Sequence, residues 1–171
     1  MVVAILGTTT MFGQGFSASL DYAMWNGAMI ESSETTGSTI LGLNYTHKLS
    51  KKMDLVGSVG YGLGLGIIPL KADFNYGLTD KISANLGLGI YMISDSIYAT
   101  NATGIDAEAG STNEFGINLG LSYQVTSSIS LGFNYNMIKS GVYDFNGMQF
   151  GLSYAFGSSS EKGDDKNKEE K

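Results

Sequence analysis

Catalysis and metal binding need particular side chains, and this chain is short of them. Its 171 residues include one His, no Cys and no Arg. Without thiols there is no disulfide and no redox chemistry. A lone imidazole cannot build a His or Cys metal site. His47 lies beside Lys48, with Ser50, Lys51 and Lys52 just beyond. No Ser/His/Asp arrangement can be built without it, and its surroundings read as an interfacial anchor. The expectation is therefore no catalytic residue, no metal ligand and no cofactor. The remaining candidates are Asp21, Lys71, Asp73 and Glu114, isolated charges in otherwise uncharged stretches. Three carboxylates around one ammonium could pass protons or cations. They could also pair and fix the fold, since breaking a buried pair costs several kcal/mol. The second role is the expectation. The acids Glu31, Glu34, Asp95, Asp106, Glu108 and Asp144 stand against Lys139 as the one base in the longer links. None has the alternating Asp/Asn spacing of a dedicated calcium loop. Gly60–Gly66 lacks the spacing of a nucleotide-binding turn.

These residues must be placed by strands. Apolar and polar residues alternate with period two in eight segments: 16–24, 39–47, 55–65, 70–76, 82–92, 114–125, 129–137 and 147–156. Of 42 positions in the apolar phase, 39 are apolar, the exceptions being Thr39, His47 and Gly57. The 36 intervening positions hold only five apolar residues: Ala23, Ile40, Val56, Tyr91 and Ala155. Each face of the sheet therefore meets one kind of environment. The polar phase tells which. Eleven of its 36 residues are Gly, and its only charges are Asp21, Lys71, Asp73 and Glu114. A face in open water carries many charged residues, whereas a narrow lumen wants small ones. An eight-stranded barrel has an interior that side chains just fill. The apolar phase contains no Lys, Asp or Glu, as a lipid-facing surface requires.

Composition agrees. Charged residues make up 15% of the chain, against a usual ~25%, and Gly numbers 24. The net charge of −6 disfavours nucleic acid, whose phosphates need clustered cations. The links after segments two, four and six are short. Those after one, five and seven, at 25–38, 93–113 and 138–146, are longer, and the link after three is clipped. Short turns on one rim and longer loops on the other are typical of barrels that span a membrane. Phe16, Tyr45, Tyr76, Tyr123, Tyr154 and Phe156 fall near the short-turn ends of their segments. Tyr22, Tyr61 and Tyr135 approach the other rim, with Trp25 and Phe145 just beyond. Two aromatic belts, one per interface, are expected of such a protein.

Outside the segments, residues 1–15 pair an apolar run (MVVAILG) with small polar residues. They read as the truncated signal peptide of a secreted protein, although no basic residue precedes Lys48. Residues 157–171 (GSSSEKGDDKNKEEK) have no apolar residue and are expected to be a disordered polar tail.

The last segment, Gln149 to Phe156 (QFGLSYAF), resembles the C-terminal signal by which bacterial outer-membrane proteins are recognised for insertion. It supplies Gln149, Gly151 two residues later, and Tyr154 and Phe156 in the third-last and last places. It departs from that pattern by lying 15 residues before the end of the chain. Residues 16–156 as a whole resemble the small eight-stranded outer-membrane barrels of the porin-family or OmpA/OmpX-like group. The resemblance implies the bacterial outer membrane, contact with its lipids, and the barrel-insertion machinery as a partner of the last strand. The reading is an all-β, eight-stranded antiparallel up-and-down transmembrane β-barrel, non-catalytic, structural or surface-interacting through its extracellular loops. Asp21, Lys71, Asp73 and Glu114 would form a lumen network, and Phe16, Tyr45, Tyr76 and Tyr123 an interfacial belt. The alternatives are a narrow passive porin-like channel and a soluble lipocalin-like barrel that binds a ligand.

Overall fold

The computed structural model describes residues 15–27, 36–63, 66–93, 112–139 and 144–156. The expected signal peptide, apart from Gly15, and the tail at 157–171 lie outside them. The described residues form eight strands: β1 (Gly15–Gly27), β2 (Thr36–Lys48), β3 (Met53–Leu63), β4 (Ile68–Gly77), β5 (Ile82–Ile93), β6 (Thr112–Gln124), β7 (Ile129–Lys139) and β8 (Asp144–Ala155). Each pairs antiparallel with the next, and β8 returns to β1, so the sheet closes into a barrel. Closure removes the open edges that would otherwise leave backbone groups unpaired in lipid. It continues one residue past β8, where Phe156 N–H donates to Phe16 O at 2.9 Å.

The pleat sends alternate residues to opposite faces, and the apolar phase points outward. Leu20, Leu43, Leu86, Leu119 and Leu152 are all exposed, and so are nearly all their outward neighbours. A soluble protein rarely exposes apolar patches above a few hundred Å², and this one covers the barrel. A lipocalin-like barrel would turn that face inward, so the soluble reading fails.

Three four-residue turns share one construction. Leu49, Leu78 and Val125 each begin a turn, and their N–H groups donate to Met53 O, Ile82 O and Ile129 O, each at 2.9 Å. A hydroxyl follows in each. Thr79 Oγ1 accepts from the N–H groups of Lys81 (3.2 Å) and Ile82 (3.0 Å). Thr126 Oγ1 accepts from Ser128 (3.2 Å) and Ile129 (3.0 Å). Ser50 Oγ accepts from Lys52 N–H at 3.3 Å. Short Ser/Thr side chains substitute for a backbone acceptor in tight turns. The fragments LSKK, LTDK and VTSS are thus one motif used three times.

At the other end the strands run further than the alternation reached. The link between β1 and β2 is residues 28–35, and the link between β7 and β8 is only 140–143. The expected loops at 25–38 and 138–146 are correspondingly shorter. β3 is described as far as Leu63, and residues 64 and 65 of the expected segment lie outside the described residues. Gly62 N–H donates to Ile67 O at 2.7 Å, and Gly66 adopts a positive φ of 63°. Glycine takes that conformation without penalty.

Candidate functional site

Among the described residues, the lumen gathers the buried polar and charged side chains. It has two zones. At the loop end, Ala23, Trp25, Ile40, Ile67, Tyr91, Ile93 and Ile138 form a buried apolar cluster. Trp25 and Tyr91 are its largest members, at 0% and 1% exposure, and pack edge to face with ring centroids 6.4 Å apart. Such pairs are favourable beyond the area they bury. Ile67 belongs to the link between β3 and β4 and is fully buried in the same plug. Trp25 therefore corrects the sequence reading. It is a lumen residue and not part of the outer aromatic belt, because an odd position on β1 points inward beside Ala23 and Asp21.

Turnward of the plug lies a polar zone. Tyr91 Oη donates to Asn136 Oδ1 at 3.0 Å, and Asn136 Nδ2 donates to Gln149 Oε1 at 3.2 Å. Gln149 acts in turn on Asp21, which accepts from Ser19 Oγ at 2.8 Å. This chain runs from β5 through β7 and β8 to β1. Lys71, on β4, acts on Asp21 through its charge. Asp73, also on β4, accepts a hydrogen bond from Asn118 Nδ2 on β6. Asn85 Nδ2 donates to Asn134 Oδ1 at 2.9 Å. Ser58 Oγ and the Oδ1 atoms of Asn75, Asn85 and Asn118 are buried without a partner among the described residues. Acceptors in such a polar lumen are ordinarily satisfied by water.

The glycines make room for these groups. Asp21 faces Gly151 in register, Lys71 faces Gly89, Asp73 faces Gly87 and Trp25 faces Gly147. A Cβ at Gly151 or Gly87 would overlap the opposing carboxylate, and one at Gly147 would overlap the indole. A Cβ at Gly116 would stand 2.6 Å from Tyr91 Cε2. Each large lumen side chain thus lies over a bare stretch of the neighbouring strand.

Of the four charges expected in one network, Asp21 and Lys71 interact through charge, and Asp73 is bonded separately to Asn118. Glu114 is inward-facing and half-buried, and it sits opposite Tyr91 in register. The Tyr91 ring lies over Gly116, between Glu114 and Asn118, so Glu114 belongs to the loop rim. The network's other members, Tyr91, Asn118, Asn136 and Gln149, were not singled out as lumen partners. Their signal was available: Asn and Gln at inward positions, interleaved with Gly. Gln149 and Gly151, two residues of the expected insertion signal, face the lumen, whereas Tyr154 and Phe156 point outward and pack at 5.6 Å. Phe16 and Tyr45 pair on the outer face at 5.1 Å. Tyr76 and Tyr123 are exposed on that face as well, so all four belt residues occupy the turn-side rim. His47 is exposed on the outer face near the same rim, away from the buried carboxylates.

No family model and no curated protein matches the chain. Solved structures do. Ail, the attachment invasion locus protein of Yersinia pestis, solved with the heparin analogue sucrose octasulfate, is 16% identical with a TM-score of 0.56. That match covers 85% of this chain and 100% of Ail. The fold is that of the eight-stranded outer-membrane β-barrel. The designed barrel TMB2.3 matches at 19% identity and a TM-score of 0.53, over 86% of this chain and 98% of its own. A further structure from the de novo design of transmembrane β-barrels matches at 13% identity and 0.52, over 84% and 98%. A fold shared by a natural outer-membrane protein and by designed barrels carries architecture and not activity.

Proposed function

We propose that the protein is a non-catalytic barrel of the bacterial outer membrane that acts structurally and through its extracellular loops. The observation that carries this reading is the apolar plug. It fills the loop end of the lumen with Trp25 and Tyr91, and hydrogen bonds from Tyr91 to Asn136 and from Asn136 to Gln149 run below it. A lumen filled in this way favours a closed barrel, with the two rims and the outer face left to meet partners. The loops contribute Glu31, Glu34, Asp95, Asp106 and Glu108, so the partner that fits them is cationic. That charge is opposite to what a sulfated ligand of the kind bound by Ail would need. The last strand, with Tyr154 and Phe156 outward, is the element we assign to recognition by the insertion machinery.

The polar lumen supports a second reading, a narrow cation-conducting pore. Planar-bilayer recording separates the two, since the plugged barrel stays closed and discrete open steps favour the pore. Heat-modifiable gel migration after outer-membrane fractionation tests the barrel itself. A tag within residues 94–111 that labels on intact cells supports the loop orientation, and labelling only after lysis reverses it.

A further inference from the structure

Among the described residues, the turn-side rim is chemically lopsided. Lys51 and Lys52 in the turn between β2 and β3, and Lys81 in the turn between β4 and β5, are exposed on one arc. The two turns are tied together, because Gly77 N–H donates to Lys52 O at 2.7 Å. Asp80 is the acid exposed in these turns. The third turn, 125–128, and the ends of β1 and β8 contain no lysine. The outer face above this arc is also unusual. Gly57 and His47 are two of the three non-apolar residues in the outward phase, and both sit on β2 and β3 near this rim. Gly57 faces Tyr45 on β2 and Ala72 on β4 in register. A Cβ at Gly57 would meet nothing within 4 Å. The lipid face therefore has a shallow notch at Gly57 and Ala72, walled by the exposed side chains of Tyr45, Leu55 and Phe74. It lies about four residues, or ~13 Å at 3.3 Å per residue, from the strand end that carries the lysines.

We propose that this arc holds an anionic phospholipid, with its headgroup phosphate on Lys51, Lys52 and Lys81 and one acyl chain in the Gly57 notch. The inference rests on the membrane-barrel reading above. A cationic rim below an apolar groove matches a phospholipid's own division into charged head and apolar chain. A Lys near a membrane surface contributes enough to change anionic lipid affinity about fivefold. The lopsidedness selects one bound site and not a uniform ring.

The test is native mass spectrometry of the full chain from a neutral detergent, with phosphatidylglycerol against phosphatidylcholine of identical chains. Wild type is expected to retain phosphatidylglycerol preferentially. Lys51→Gln/Lys52→Gln/Lys81→Gln should lower that preference by tenfold or more, and each single change by about fivefold. Lys139→Gln, at the loop end, should leave it unchanged. Gly57→Leu should weaken retention by filling the notch, in a position where the added side chain has room. Equal retention of the two lipids by wild type overturns the proposal, and so does a preference that survives the triple change. Heat-modifiable migration is recorded for every variant. If the wild type does not shift on the gel, the barrel reading fails and the lipid site with it; if it shifts and the lipid preference is absent, only the lipid site fails.

Discussion

The two zones of the lumen are built on the same eight strands, yet they obey different rules. Turnward, inward positions hold Ser, Asn, Gly, Asp and Lys, and outward positions hold Leu, Phe and Tyr. At the loop end apolar bulk stands on both faces: Trp25 follows Met24, and Ile138 follows Met137. The polar zone is held by directional bonds among few partners, from Tyr91 through Asn136 to Gln149. The plug is held by packing. The difference teaches that period-two alternation reports an environment on each side of a sheet and not the strand as such. Where the lumen is sealed with hydrocarbon, the pattern fades while the strand continues.

Perturbing each zone separately should sharpen the contrast. The largest effect is expected for Trp25→Ala, which empties the centre of the plug. Loss of a buried large aromatic costs about 3–5 kcal/mol, read as a lower urea midpoint for unfolding from lipid vesicles. Gly151→Ala intrudes on Asp21 and should cost roughly 1–3 kcal/mol. In the same assay, Asp21→Ala in that background should show a favourable coupling, because it removes the group that the new methyl meets. Additive costs would contradict the pairing of glycine with bulk across the lumen. Tyr91→Phe tests the border of the two zones: it keeps the ring in the plug and removes one bond to Asn136. About 1 kcal/mol is expected, with no change in conductance. Thr79→Ala removes a hydroxyl that accepts from two turn N–H groups, outside both zones. Its effect should be the smallest, about 0.5 kcal/mol.

Much of this was legible in the sequence and some was not, for physical reasons. All eight strands were visible because Leu, Tyr and Phe at every second position leave only one way to sort the two faces. Asp21, Lys71 and Asp73 were legible as lumen charges for the same reason. Trp25 was misplaced because its neighbour Met24 is also apolar, so no polar residue marks the inward side. Ala23, Ile40 and Tyr91 stood out as breaks in the polar phase. Only the strand registers bring them together with Ile67 at one end. For Glu114 alternation gave the inward face, and the register with Tyr91 adds its height along the barrel. The glycines read as missing bulk, which is correct but incomplete. Their partnership with Asp21, Asp73 and Trp25 depends on which residue stands opposite, and that is fixed by pairing.

The central claim is that side chains of the plug close this barrel. Planar-bilayer recording of the folded wild-type protein beside Trp25→Ala tests it most directly. The plugged lumen predicts a silent wild type and brief, small, cation-selective openings in Trp25→Ala, since Asp21 and Asp73 line the path below. Steady conductance in the wild type, unchanged by removal of the indole, would contradict it.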